Sequence, residues 1–107
     1  GIGGATSIVV GEKIYNISRT KQVIVITHLA QIACFSDHHY YIDKYIENNR
    51  TKIKIKRLEN ISRTNEISRM LGGMTKSDIS LKHADELISR CNEIKNNLVE
   101  ENIKVGN

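Results

Sequence analysis

With 107 residues, 39% of them hydrophobic and 26% charged, the chain falls in the range of a single ordered domain with a modest core. Sixteen basic against twelve acidic residues give a formal net charge of +4, which permits contact with nucleic acid without requiring it. Cys34 and Cys91 lie far apart with no Cys-x-x-Cys spacing, which excludes a zinc ribbon and a disulfide framework and predicts reduced, packed thiols. No run approaches the roughly 18 apolar residues of a membrane span, and no signal segment opens the chain, so a soluble, cytoplasmic protein without membrane contact is expected.

Gly1-Ile2-Gly3-Gly4 reads as a loop whose preceding element is absent, as in a piece excised from something larger. A helix over 5–18 follows, with Val10, Ile14 and Ile17 at the i, i+4, i+7 spacing of one buried face. Gly11 inside it costs about 1 kcal/mol of helix stability relative to alanine. A glycine-rich turn entering a helix presents free N–H groups and the positive end of the dipole, which makes 1–4 a candidate anion contact; the plain alternative is a flexible turn.

Val23, Ile24, Val25 and Ile26 are consecutive β-branched residues with no polar alternation, the pattern of a parallel strand covered on both faces. Thr27 and His28 then fall at its carboxyl end, where open α/β sheets collect ligands. Taken alone, a histidine there is more often structural than reactive. A short helix over 29–35, with Leu29, Ile32 and Ala33 inward, ends at Ser36 and Asp37. The strand over 39–46 places Tyr40, Ile42 and Ile46 on one face and Tyr41, Asp43 and Tyr45 on the other. Strand, helix and strand form a βαβ unit, which predicts parallel neighbours with a right-handed crossover.

Asn48 and Asn49 tolerate positive φ, so 47–50 is a turn and 51–58 returns as a strand with Ile53 and Ile55 inward and Lys52, Lys54 and Lys56 outward. The lysine row suits phosphate contact, and equally the protection of a sheet edge from aggregation. A helix over 62–71, with Ile67, Met70 and Leu71 as apolar contacts, stops at Gly72-Gly73, and 74–79 is a loop. From Ser80 a last helix shows Ala84, Leu87, Ile88, Cys91, Ile94 and Leu98 against Lys82, Glu86, Arg90 and Lys95. That stripe reads as core or subunit contact, and 99–107 are expected to fray.

Little chemistry is self-contained. The sequence has no Gly-x-x-x-x-Gly-Lys-Ser/Thr loop, no nucleophile elbow and no paired carboxylates at strand ends. Cys34, Asp37, His38 and His39 are metal-ligand types, but adjacent histidines in a strand point to opposite sides, so no metal site is expected.

Five blocks are specific in combination: Gly1-Ile2-Gly3-Gly4 before a helix; Val25-Ile26-Thr27-His28-Leu29-Ala30-Gln31-Ile32-Ala33; Asp37-His38-His39-Tyr40; Arg69-Met70-Leu71-Gly72-Gly73; and Leu81-Lys82-His83-Ala84. In order and spacing they resemble the C-terminal end of the RecN family of bacterial DNA repair proteins, over nearly the whole chain. Ala30 departs from the family, which usually has proline after Thr-His-Leu, and that bears on the rigidity of the turn.

The resemblance implies an SMC-like, ABC-type ATPase acting in recombinational repair of DNA double-strand breaks. Its fold would be α/β: part of a three-layer P-loop NTPase head with parallel strands, a β-hairpin and C-terminal helices. Residues 1–4 would be an interface loop, 5–58 an α/β unit with the hairpin, 59–98 the C-terminal helices and 99–107 the tail. ATP and Mg2+ would be held in the full-length protein between two heads, with the phosphate-binding loop, the magnesium ligands and the catalytic carboxylate outside this chain.

By that resemblance His28 matches the switch histidine at the γ-phosphate, with Thr27 and Gln31 in support, and Gly1, Ile2, Gly3 and Gly4 form the loop that crosses the dimer interface. The implied partners are the missing N-terminal half of the same head, a second head, and DNA. Alone the chain would hold no nucleotide and be inactive. Two alternatives stand beside it: a basic nucleic-acid-binding module using Lys52, Lys54 and Lys56, and a structural dimerisation piece built on the stripe over 84–98.

Overall fold

The computed structural model, which describes residues 3–72 and 77–106, runs in the order α1 (Gly4–Ser18), α2 (Ala30–Ala33), β1 (His39–Glu47), β2 (Arg50–Leu58), α3 (Ile61–Met70) and α4 (Asp78–Gly106). Gly1, Ile2, Gly73 and the 74–76 part of the expected loop lie outside the described residues. The core is small and helical: Ile8, Ala30, Ala33, Cys34, Phe35, Ile67, Ala84 and Cys91 are buried together, with Tyr15, Met70, Leu87, Ile88 and Ile94 packed around them. The Cα radius of gyration is 15.7 Å, against about 13 Å for a compact chain of this length. The hairpin and the long α4 extend beyond what so small a core can cover.

α4 delivers the expected apolar stripe. Ala84 and Cys91 are fully buried, and Leu87, Ile88 and Ile94 flank them. The stripe is thus occupied within the chain, which weighs against reading it as a dimerisation surface. The helix also continues past Leu98, where the apolar pattern ends, to Gly106. It is tied down at three points: Arg19 Nη1 donates to the Leu98 carbonyl at 3.1 Å, Lys95 pairs with Asp37 at 3.0 Å, and the Lys95 ammonium lies 4.9 Å from the centre of the Tyr15 ring.

α1 forms where expected but buries a different face. Ser7, Ile8 and Gly11 are its buried residues, whereas Val10 and Ile14 are half-buried and Ile17 is 54% exposed. The reason is Gly11. Without a Cβ it lets Phe35 approach so closely that a Cβ there would lie 2.5 Å from the ring's Cδ2. This contact turns the Ile8–Gly11 side toward α2 and leaves the second apolar face of α1 only partly covered among the described residues.

The segment at 22–27 corrects the expectation of a buried strand. It belongs to no helix or strand, no backbone hydrogen bond of these residues is found among the described residues, and Ile24 and Ile26 are each 86% exposed. The described sheet has two strands, β1 and β2, paired antiparallel from His39 opposite Leu58 to Glu47 opposite Arg50. The expected parallel pairing of 22–27 with β1 is absent among the described residues. A strand buried on both faces needs neighbouring strands and covering layers, and the described residues supply neither at that place.

The hairpin turn follows the sequence closely. Asn48 (φ 53°) and Asn49 (φ 62°) take the two left-handed positions of a two-residue loop. Its faces also divide as the alternation predicts, because directly paired residues share a side: Tyr41, Asp43 and Tyr45 stand with Lys56, Lys54 and Lys52, and Ile42 stands with Ile55. The isoleucine side, however, is not inward. Ile53 and Ile55 are 59% and 65% exposed, since nothing among the described residues packs on that face.

Candidate functional site

Thr27 shapes the turn that follows the 22–26 segment. Its Oγ1 accepts the Leu29 N–H at 3.0 Å, and Leu29, at φ −100° and ψ 118°, remains extended before α2 begins at Ala30. His28 occupies the bend between them and is exposed. Its ring therefore does not point into the core and can meet a ligand. Ala30, which stands where the resembled family has proline, is the first residue of α2 and is buried.

One helical turn further on, Gln31 meets the N-terminus of α1. Its Nε2 lies 3.7 Å from where a Cβ on Gly4 would be. Gly3 caps α1 in an extended conformation, and its carbonyl accepts both the backbone N–H of Ser7 (3.0 Å) and the Ser7 hydroxyl (3.1 Å). The 27–31 turn and the described part of the glycine loop, Gly3 and Gly4, thus share one end of the helical core. Gly4 and Gln31 line a cleft of about 720 Å³ together with His83 and Arg90 of α4. His28 and Thr27 are not among the residues lining it.

His83 and Arg90 were not singled out as site residues from the sequence. They stand two turns apart on α4, a spacing that puts both on one face, and this is the signal that could have found them. The cleft thus brings the start of α1, the Gln31 amide and the Arg90 guanidinium, which offer hydrogen-bond donors, beside the Glu86 carboxylate, an acceptor, so its lining is of mixed charge.

Lys52, Lys54 and Lys56 are exposed, as expected, but their charge is not free-standing. Lys52 pairs with Glu47 at 3.6 Å, and Asp43 stands directly across from Lys54. Lys54, Lys56 and Tyr41 line a second cleft, of about 620 Å³, against Asn65, Glu66 and Arg69 of α3. Arg69 is itself paired with Glu66.

His38 and His39 take separate roles. His38 Nδ1 is 3.0 Å from Arg57 Nη2 on the hairpin. His39 is half-buried, and its Nδ1 has no hydrogen-bond partner among the described residues. Burial, aided by the Arg63 guanidinium and opposed by Glu66, holds its imidazole below the ordinary value of 6.5. The unfolded chain therefore takes up this proton first, and the His39 contribution to stability, complete above pH 6.5, is lost as pH falls toward the lowered folded value. Chemical denaturation from pH 8 to 5 should show stability declining below about pH 6.5, with a shallower decline in His39→Gln. An unchanged slope in that variant would assign the decline to other groups.

The chain is similar to several DNA repair proteins. It is 46% identical over 89 residues to "DNA repair protein RecN" of Deinococcus radiodurans, covering 83% of this chain and 16% of that protein. It is 36% identical over 95 residues to the protein of that name in Bacillus subtilis, covering 89% of this chain and 16% of that protein. For the Rickettsia prowazekii protein the identity is 44% over 88 residues, covering 82% and 16%. No family model matches the chain. It spans about a sixth of the length of these curated relatives. This chain belongs to the RecN family of DNA repair proteins and corresponds to a C-terminal segment of its members.

Proposed function

We propose that the chain completes the ATPase head of a DNA repair protein, a three-layer P-loop NTPase head of the SMC-like, ABC type, by adding a strand to its sheet and presenting His28 at the end of that strand. The observation that carries this reading is the segment 22–27: outside every helix and strand, rich in exposed β-branched residues, without backbone hydrogen bonds among the described residues, and ending in a hydrogen-bonded turn with an exposed imidazole. The only partly covered face of α1, with Val10 and Ile14 half-buried and Ile17 exposed, supports it, because a strand inside a three-layer head has helices packed on both faces of its sheet.

The donors present fit part of an ATP site. Bound ATP would supply the phosphoryl group for transfer to water, a reaction that needs positioned donors and charge stabilisation more than covalent help. This chain would offer the His28 imidazole, the N–H groups at the start of α1 and the Gln31 amide, with Gly1, Ile2, Gly3 and Gly4 reaching toward a second head. It offers no phosphate-binding lysine loop, so nucleotide and Mg2+ would be gripped by the rest of the head. The whole protein should hydrolyse ATP in a Mg2+-dependent way, and the 107-residue chain alone should not. Equal turnover by the isolated chain, or none by the whole protein with DNA present, would overturn the reading.

A second reading concerns DNA, the molecule whose repair the relatives are named for. Tyr41 and Tyr45 share the lysine face of the hairpin as direct partners of Lys56 and Lys52, and lysine beside aromatic side chains suits contact with phosphates and bases. In this reading the hairpin is a DNA contact of the same protein rather than an independent module. Its mark would be a weaker salt dependence of DNA binding in the Lys54→Gln/Lys56→Gln double variant.

A further inference from the structure

α2 has only four residues, Ala30–Ala33, too few to hold a helical shape unaided, so its place is set by what it touches. On one side Arg63 of α3 donates through Nη2 to the carbonyls of Cys34 (3.1 Å) and Ser36 (3.2 Å), just past the end of α2. On the other side lies α1, where Phe35 fills the notch that Gly11 leaves. Gln31 runs along this second contact. Its main-chain oxygen lies 3.1 Å from where a Cβ on Gly11 would be, and its Nε2 lies 3.7 Å from where a Cβ on Gly4 would be. Gly4 and Gly11 stand on one face of α1, two turns and about 10 Å apart. A single residue is thus fixed by its backbone at the middle of α1 and reaches with its side chain to the first turn.

Both ends of that reach belong to the proposed site. At the start of α1, the Gly3 carbonyl is held by the N–H (3.0 Å) and the hydroxyl (3.1 Å) of Ser7, which is itself buried. No side chain caps this helix and no acidic residue stands in its first turn. Chain neighbours aside, Gln31 is the one residue of those described within 4 Å of the Gly4 Cβ position. Three residues before Gln31, His28 sits on the turn that Thr27 closes by accepting the Leu29 N–H at 3.0 Å. The Leu29 carbonyl in turn accepts the N–H groups of Ile32 (3.1 Å) and Ala33 (3.0 Å), which joins that turn to α2.

We infer that Gln31 is a positioning residue: by lying against Gly4 it holds the start of α1, with Gly3 and Gly4, in fixed register with His28. Its side chain then serves the nucleotide site through the glycine loop and not by touching a phosphate. The inference rests on the nucleotide reading and adds to it how two separate segments of the chain are kept at one distance. A transferred phosphoryl group must meet donors from both segments at once, and a misplacement of about 1 Å costs about 100-fold in rate. Loss of the Gln31 side chain should slow the chemical step and leave the main grip on the nucleotide, which lies outside this chain, intact.

The test is steady-state ATP hydrolysis by the whole protein with DNA present, beside urea unfolding of each variant. Gln31→Ala should lower kcat by about 10–100-fold with KM little changed. Gln31 is half-buried, and the unfolding midpoint should stay close to the parent's. Gln31→Met, which keeps the reach without the amide, should restore most of the rate, whereas Gln31→Asn, which keeps the amide one methylene short, should not. A Gln31→Met protein as slow as Gln31→Ala would show that the amide itself meets the nucleotide and would overturn the proposal. So would normal kcat in Gln31→Ala where His28→Ala is slow, a result that leaves the nucleotide reading standing. Normal turnover in both variants would remove that reading and this inference together.

Discussion

Gly11→Ala is expected to destabilise this protein, although the same change in an exposed helix interior stabilises by about 1 kcal/mol. The new Cβ would lie 2.5 Å and 2.8 Å from Cδ2 and Cε2 of Phe35, and 3.1 Å from the Gln31 carbonyl oxygen. Phe35 is buried and the carbonyl belongs to the backbone at the end of the 27–31 turn, so neither yields freely. Overpacking of this kind costs about 1–3 kcal/mol, enough to cancel the gain in helix propensity and leave a net loss of up to about 2 kcal/mol. Gly11→Leu, far larger, should prevent α1 and α2 from docking at all. Urea denaturation measures both, and Phe35→Leu should recover part of the loss in the Gly11→Ala background. A more stable Gly11→Ala protein would show that the two helices do not approach as described.

Removal of the His28 imidazole should affect chemistry and spare the fold. The side chain is exposed, so His28→Ala should change unfolding by less than about 0.5 kcal/mol, the usual range for surface positions. In the proposed head it donates to developing charge on the transferred phosphoryl group, and loss of one such donor costs about 100–1,000-fold in kcat. Binding of ATP should persist, because the main grip on the nucleotide lies elsewhere in the protein. His28→Gln, which keeps an N–H donor, should recover part of the rate. Normal turnover in His28→Ala would remove this residue from the mechanism, and loss of nucleotide binding would give it a different role.

The local elements were legible because their signals are local. Asn48-Asn49 dictated a hairpin turn, alternation over 39–58 sorted its two faces, and the stripe from Ala84 to Ile94 found the core of α4. What the sequence did not reveal are matters of which surface meets which. The apolar face predicted for α1 is real, but the missing Cβ of Gly11 directs another face to Phe35, a preference that hydrophobic periodicity does not encode. Ile53 and Ile55 read as inward because burial was inferred from their apolar character, without a partner to bury them.

The candidate site divides in the same way. His28, Thr27 and Gln31 could be picked out in the sequence, and Gln31 does meet Gly4; Gly1 and Ile2 fall outside the described residues. His83 and Arg90 join Gly4 and Gln31 only because α4 crosses the start of α1, a long-range packing that no short motif records.

Amide hydrogen exchange at Val23, Ile24, Val25 and Ile26 within the whole protein tests most directly whether this segment is a strand of a larger sheet that carries His28 to its ligand. Their N–H groups have no backbone partner among the described residues, and pairing with neighbouring strands should slow their exchange to the rate of the protein's most protected core. Slow exchange at all four is the predicted result. Exchange as fast as that of an unstructured peptide would contradict it, and with it the placement of His28.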